Sequence, residues 1–467
     1  MVKNVLFLTG IGLINLILFL GIFTFLQNEN NYNHTLGKFS YNYEKTGTWN
    51  NYEIKKVAKR YVEISNKNFE NWDASIYECI SKRMYSPESD CYGMVRGAFF
   101  PLFPILWKIT AATPVGISLI NYFLFVLSIA LLVTTILKTS TFDKFIIYAV
   151  LIALPSTIVY HIPYTEALFL FTMTLAAIGI LKNRYWLFFT GALLTEMIRP
   201  AASFVILAIL FTEVLLLIKN GNFKLFVKKA FGMAIPFLLG CLIAIFMQYT
   251  YTSSWITLFE AQKHWYNGIH LFKTISDWSV EGFGLSSFSI FFVCIPSLVY
   301  IVFLFFRKNN PDAEVNTFNF ENGNKAGYLF LISIFYLTGI FIFALLTTGG
   351  SLHSFFRYTL STPLFYIALL ILLNGIYNKP IKLPLYYFII SLVLIALFLN
   401  LVKYGGDRIS FSFFGLYLFI LSSLFLIFRS KLPKPMQIIS VILLVVFNIF
   451  WTTYMLNVFF CDGWIFT

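Results

Sequence analysis

The chain begins with an uncharged apolar run from Val5 to Phe25, and runs of this kind recur along its whole length. About 20 consecutive apolar residues are what a helix needs to cross the ~30 Å hydrocarbon core of a bilayer. Charged residues make up only 12% of the chain, hydrophobic ones 58%, and the mean hydropathy is +0.77. A soluble protein carries about 25% charged residues, so this chain cannot hide its side chains in one water-soluble core. The composition excludes a soluble globular enzyme, a disordered chain and a nucleic-acid binder. It predicts an all-α polytopic membrane protein.

Spans are expected over the N-terminal run to Phe25 and over 115–137, 145–160, 166–182, 187–197, 200–218, 230–250, 285–306, 326–347, 359–377, 384–402, 411–428 and 436–456, about thirteen in all. The first run is longer than a signal-peptide core, and no small-residue cleavage site follows it cleanly. The pair 187–197 and 200–218 has bases at both ends: Lys182 and Arg184 before it, and Lys219, Lys224, Lys228 and Lys229 after it. It must therefore fold as a hairpin with short arms. Lys3 places the N-terminus in the cytoplasm. On this assignment the inner loops hold seventeen Lys and Arg and the short outer loops hold five. That is the positive-inside pattern, and it places the C-terminus outside. The net charge of +13 is thus a matter of topology.

Residues 27–112 form a long extracytoplasmic loop in this scheme, and a loop of that length in a compact protein is usually functional. Within it Phe69, Trp72, Ile76, Ile80 and Met84 recur at three- and four-residue spacing, which predicts an amphipathic helix over 69–84. Asp73 falls inside the apolar stripe, between Phe69 and Tyr77. A surface helix does not turn a carboxylate inward without a reason. Asp73 either pairs with a base or caps an amide, or it is an acid or base at a membrane-level site.

Further along, Pro101 and Pro104 should break a helix and leave Gly97–Pro104 bent at the outer interface. Pro163 suits the first turn of the next span, whose free amides would face outward as a phosphate site. Glu166 there either caps the helix or serves that site. Glu196 and Arg199, at i and i+3, are either a structural ion pair or functional charges at membrane depth. The outer side also carries Gln262, His264, Trp265, His353, Arg357 and Tyr358. The guanidinium of Arg357 would anchor at the interface or grip a phosphate with its planar fork. Cys241 and Cys294 read as packing residues, and Cys79–Cys91 is the favoured disulfide pair on the outer side. The sequence has no phosphate-cradling Gly loop, His-pair zinc motif or nucleophile elbow.

These residues carry a resemblance. Trp72-Asp73-Ala74-Ser75-Ile76-Tyr77, with Ile80 and Tyr85, resembles the first outer-loop motif of PIG-V-type mannosyltransferases, which belong to the GT-C superfamily. Ala98-Phe99-Phe100-Pro101-Leu102-Phe103-Pro104 resembles their Phe-Phe-Pro-Leu-Tyr-Pro element, and Pro163-Tyr164-Thr165-Glu166-Ala167-Leu168-Phe169 their Tyr-Ser-Glu-Ser-Leu-Phe element. Ile198-Arg199-Pro200, Gln262 with Trp265, Arg357-Tyr358 with Pro363, and Gly463-Trp464 follow in the same order. Met84 stands where the family usually has Gly, and Thr165 replaces Ser.

The resemblance implies a GT-C-like bundle and an inverting glycosyltransferase. It would move a sugar, mannose in that family, from a polyprenyl-phosphate-linked donor to an extracytoplasmic glycan, glycolipid or protein. Asp73 would be the base. Arg357, Arg199, Tyr164 and Glu166 would hold the donor phosphate. Trp72, Phe100, Gln262, Trp265, His353 and Tyr358 would line the substrate groove. Neither metal nor cofactor is expected, and an accessory membrane subunit is compatible with the family. Richness in Asn, Lys, Phe and Tyr points to an AT-rich genome and a bacterial inner membrane. A lipid or solute transporter, or a polymerase or ligase of lipid-linked glycan, remains the alternative. The discriminating observation is whether Asp73, Glu166 and Arg357 converge on one outward cavity.

Overall fold

The computed structural model describes residues 2–27, 31, 48–49, 52–53, 63–86, 93–263, 280–306, 324–347, 354–376, 412–460 and 465. Among them the chain is helical apart from one two-residue antiparallel pairing, Thr48–Trp49 with Tyr52–Glu53. Among the described residues, eight helices are long and apolar enough to cross a membrane. They are Val2–Leu26, Pro114–Ile136, Pro200–Asn220, Phe223–Thr252, Gly282–Phe306, Lys325–Thr347, Phe414–Lys431 and Lys434–Phe460. The protein is an integral, multi-pass membrane protein. The expected span 384–402 lies outside the described residues.

Two expected spans are shorter than a membrane crossing. Glu166–Lys182 has 17 residues and Tyr185–Glu196 has 12. At 1.5 Å per residue even the longer reaches only ~25 Å. The expected span 145–160 is bent. Thr141–Leu151 and the 3-10 turn Pro155–His161 meet at 75°, because Pro155 brings no N–H to continue the helical ladder. The short hairpin also pairs differently from expectation. Glu166–Lys182 turns back through Asn183, which takes the left-handed conformation at φ 55°, and the two arms pack closely. A Cβ on Gly179 would lie 2.3 Å from the Phe188 nitrogen, and one on Gly191 2.5 Å from the Ala176 nitrogen. Only glycine allows these backbones to approach so closely.

Helix starts follow local chemistry. The Thr113 hydroxyl accepts from the Gly116 N–H at 3.1 Å, with Pro114 in the first turn. Ser140 accepts from the Asp143 N–H at 3.1 Å and donates back to its carboxylate at 2.6 Å. Both satisfy orphan amides. The expected bend is present between Gly93–Ala98 and Leu102–Thr110, but it ends at Pro101 and does not reach Pro104. Pro101 is the cap of Leu102–Thr110 and Pro104 lies in its first turn, where no intrahelical donor is needed.

The amphipathic helix over 69–84 is also two pieces. Asn66–Phe69 ends, the chain turns through Trp72 at φ 57°, and Asp73–Arg83 begins. Asp73 is therefore the first residue of its helix, where a carboxylate is favoured by the helix dipole.

Candidate functional site

One end of the bundle collects the beginning or end of several elements. Asp73 opens its helix and Glu166 opens another. Arg199 precedes the turn Pro200–Ala202, and Arg357 lies in the short helix Phe355–Thr359. Local hydrogen bonds fix each of them. Asn71 donates to the Phe459 carbonyl at 2.8 Å, tying the Asp73 turn to the last helix. The Ala202 N–H returns to the Arg199 carbonyl at 3.0 Å. The Arg357 segment is held from two sides. Tyr160 donates to the Ser361 carbonyl at 2.8 Å, and the Ser361 hydroxyl to the Ser156 carbonyl at 3.1 Å. Ser289, in a π-helical stretch Ser289–Cys294, hydrogen-bonds Thr359.

The four charged side chains meet in one network. Glu166 Oε1 accepts from Arg357 Nε at 2.9 Å and lies 2.8 Å from Arg357 Nη2. It also accepts from Arg199 Nη1 at 3.1 Å. Arg357 Nη1 reaches Asp73 Oδ2 at 3.3 Å. Two carboxylates and two guanidinium groups leave the network neutral overall. Rings complete it. The Tyr164 ring centroid lies 4.7 Å from the Arg357 guanidinium, and Tyr358 lies 4.9 Å from that of Arg199, both within cation–π range.

The members are not equally accessible. The Glu166 side chain is 0% exposed and that of Arg357 5%, whereas Asp73 keeps 20%. Asp73 is thus the more exposed of the two acids. Burial pushes its carboxyl above the ordinary Asp value, while the Arg357 guanidinium pulls it down and the Glu166 charge raises it further.

Two expectations are corrected here. Arg199 does not pair with Glu196. It turns to Glu166, and Glu196 instead accepts from the Ser203 hydroxyl. Their i, i+3 spacing is lost because the helix Tyr185–Glu196 ends before Arg199, whose backbone is extended. Nor does Pro163 open the helix as expected. Glu166 spends its carboxylate on the arginines, Thr165 is the cap, and Pro163 precedes the helix.

The structure thus brings together Asp73, Tyr164, Glu166, Arg199, Arg357 and Tyr358. Trp72 adjoins Asp73 and is 39% exposed. Phe100 has no exposed surface. The side chain of Gln262, and Trp265, His264, His353, Gly463 and Trp464 entirely, lie outside the described residues. Cys79 is disulfide-bonded, and Cys91 lies outside the described residues. Cys241 and Cys294 are free thiols. Among the described residues no three His, Cys, Asp or Glu side chains gather as a metal-binding set.

Sequence reasoning missed the positioning residues Asn71, Tyr160, Ser289 and Ser361. Tyr160 alone carried a signal, as a hydroxyl in an apolar stretch between Pro155 and Pro163. Comparison with protein-family models, curated proteins and solved structures finds no match to this chain. The functional reading rests on the motifs and the geometry.

Proposed function

We propose that this protein is an inverting membrane glycosyltransferase. It moves a sugar, mannose by the resemblance, from a polyprenyl-phosphate-linked donor to an extracytoplasmic glycan, glycolipid or protein. One observation carries the reading. Asp73, Glu166, Arg199 and Arg357, up to 284 positions apart in the chain, converge on one end of the bundle. Base counts favour an outer location for this end, and a disulfide at Cys79 fits an oxidising compartment. Nucleotide sugars are absent there, so a lipid-borne donor is the consistent source.

Asp73 takes the proton of the acceptor hydroxyl as that oxygen bonds to the anomeric carbon. The bond from that carbon to the phosphate oxygen breaks, and polyprenyl phosphate leaves. General-base catalysis of this kind is worth about 10²–10⁴-fold. The leaving phosphate needs fixed positive charge, which Arg357 supplies. Its 3.3 Å contact to Asp73 is longer than those to Glu166, so it is the one a phosphate replaces. That exchange also frees the base. Glu166 is a positioning residue, holding both guanidinium groups in place.

The test is to incubate the purified protein with labelled polyprenyl-phosphate mannose and membrane extract. Label should appear in a glycan, glycolipid or protein product. Absence of product, together with donor or solute flux that depends on the protein, would favour a transporter instead.

A further inference from the structure

A second feature lies at the far end of the helix Glu166–Lys182. A cavity of about 420 Å³ opens there, beside Gly179, Ile180 and Asn183. At 1.5 Å per residue it is roughly 20–25 Å from Glu166, so it is separate from the charge network. Its walls come from the ends of Glu166–Lys182, Tyr185–Glu196, Ser203–Asn220, Phe223–Thr252 and Lys325–Thr347. The volume is within the range of small-molecule sites.

The lining divides by chemistry. Leu216 and Met233 present apolar surface, while Lys229, Lys325, Asn183 and Tyr328 present polar groups. The Lys229 ammonium stands 5.7 Å from the Tyr328 ring centroid. Neither lysine forms an ion pair among the described residues. Glu213, 2% exposed and not part of the lining, is close enough to act electrostatically on Lys229 and Tyr328. One carboxylate offsets at most one of two ammonium groups, so the cavity stays net positive. Its apolar part would be wasted on a bare inorganic anion. A basic pocket between spanning helices, at the end of the bundle, suits an anion that carries an apolar chain.

We propose that this cavity binds the phosphate headgroup of an anionic lipid. Lys229 and Lys325 contact the phosphate oxygens, and the first methylenes of the chain lie against Leu216 and Met233. The proposal is independent of the chemistry at the other end of the bundle.

The test uses the full chain in nonionic detergent, titrated with phosphatidylglycerol, phosphatidylcholine or inorganic phosphate and followed by native mass spectrometry. One phosphatidylglycerol should bind in preference to phosphatidylcholine. Lys229→Gln with Lys325→Gln should weaken phosphatidylglycerol binding about tenfold or more, as loss of charge-assisted hydrogen bonds does. Phosphatidylcholine binding should not change. Lys224→Gln with Lys228→Gln, both exposed and outside the cavity, should leave the preference intact. Met233→Trp, which fills the apolar part without altering charge, should also weaken binding, and it keeps the test decisive if the lysine variant does not fold. Equal loss in both lysine double variants would mean diffuse surface attraction and overturn the proposal. No lipid preference, with inorganic phosphate bound instead, would overturn the lipid as ligand.

Discussion

Replacing Glu166 by Gln tests whether one carboxylate organises the charge network. Its Oε1 holds Arg357 at 2.9 and 2.8 Å and Arg199 at 3.1 Å. The Glu166 side chain is 0% exposed, and those of Arg357 and Arg199 are 5% and 9%, so water screens these contacts little. Gln keeps the volume and one acceptor but removes the charge. Two guanidinium groups then face Asp73 alone. Removing one partner of a buried pair costs about 3–5 kcal/mol. For 467 residues, at about 2.1 cal/mol/K per residue, the unfolding entropy is about 1 kcal/mol/K. The midpoint of thermal unfolding in detergent, followed by tryptophan fluorescence, should therefore fall by about 3–5 °C. Adding Arg199→Gln removes one stranded cation, so the double variant should lose less than the sum of the singles, with a coupling of about 0.5–3 kcal/mol. An unchanged midpoint, or strict additivity, would refute the role given to Glu166.

Three further outcomes follow from the same geometry. Arg357→Lys keeps the charge but loses the fork that spans Glu166 and Asp73, so labelled transfer should fall about 10-fold or more while the protein still elutes as a folded species in gel filtration. Because burial raises the Asp73 carboxyl above the ordinary aspartate value, transfer should decline as pH falls through that raised value, and the acidic limb of a pH–rate profile should lie above that of an exposed aspartate. Gly191→Val would drive a side chain into the Ala176 backbone, 2.5 Å away; overpacking of this kind costs about 1–3 kcal/mol, read as a lower thermal midpoint.

The membrane class was legible because run length alone carries it. Several spans were too: the runs at 115–137, 326–347 and 436–456 fall on Pro114–Ile136, Lys325–Thr347 and Lys434–Phe460. What the sequence hid was tertiary. The period through Phe69, Trp72 and Ile76 runs unbroken across a turn that only the positive φ of Trp72 reveals. Glu196 is closer to Arg199 in the chain than Glu166 is, yet the extended backbone at Arg199 turns the guanidinium away from it. The acids and bases of the network stand out individually as charges in an apolar chain. Their partners could not be read, because nothing local specifies a contact across 191 or 284 positions. The cavity between Lys229 and Lys325 was equally hidden, since the base counts treat these residues only as markers of a loop.

The most direct measurement is transfer of labelled mannose by Asp73→Asn. The substitution is nearly isosteric and can still accept from Arg357, so the folded protein and its donor binding should persist. Transfer should fall about 10²–10⁴-fold, the usual loss for a general base. Glu70→Gln, three residues earlier and outside the network, should transfer at close to the parent rate. Substantial transfer by folded Asp73→Asn would contradict the assignment of Asp73 as the base.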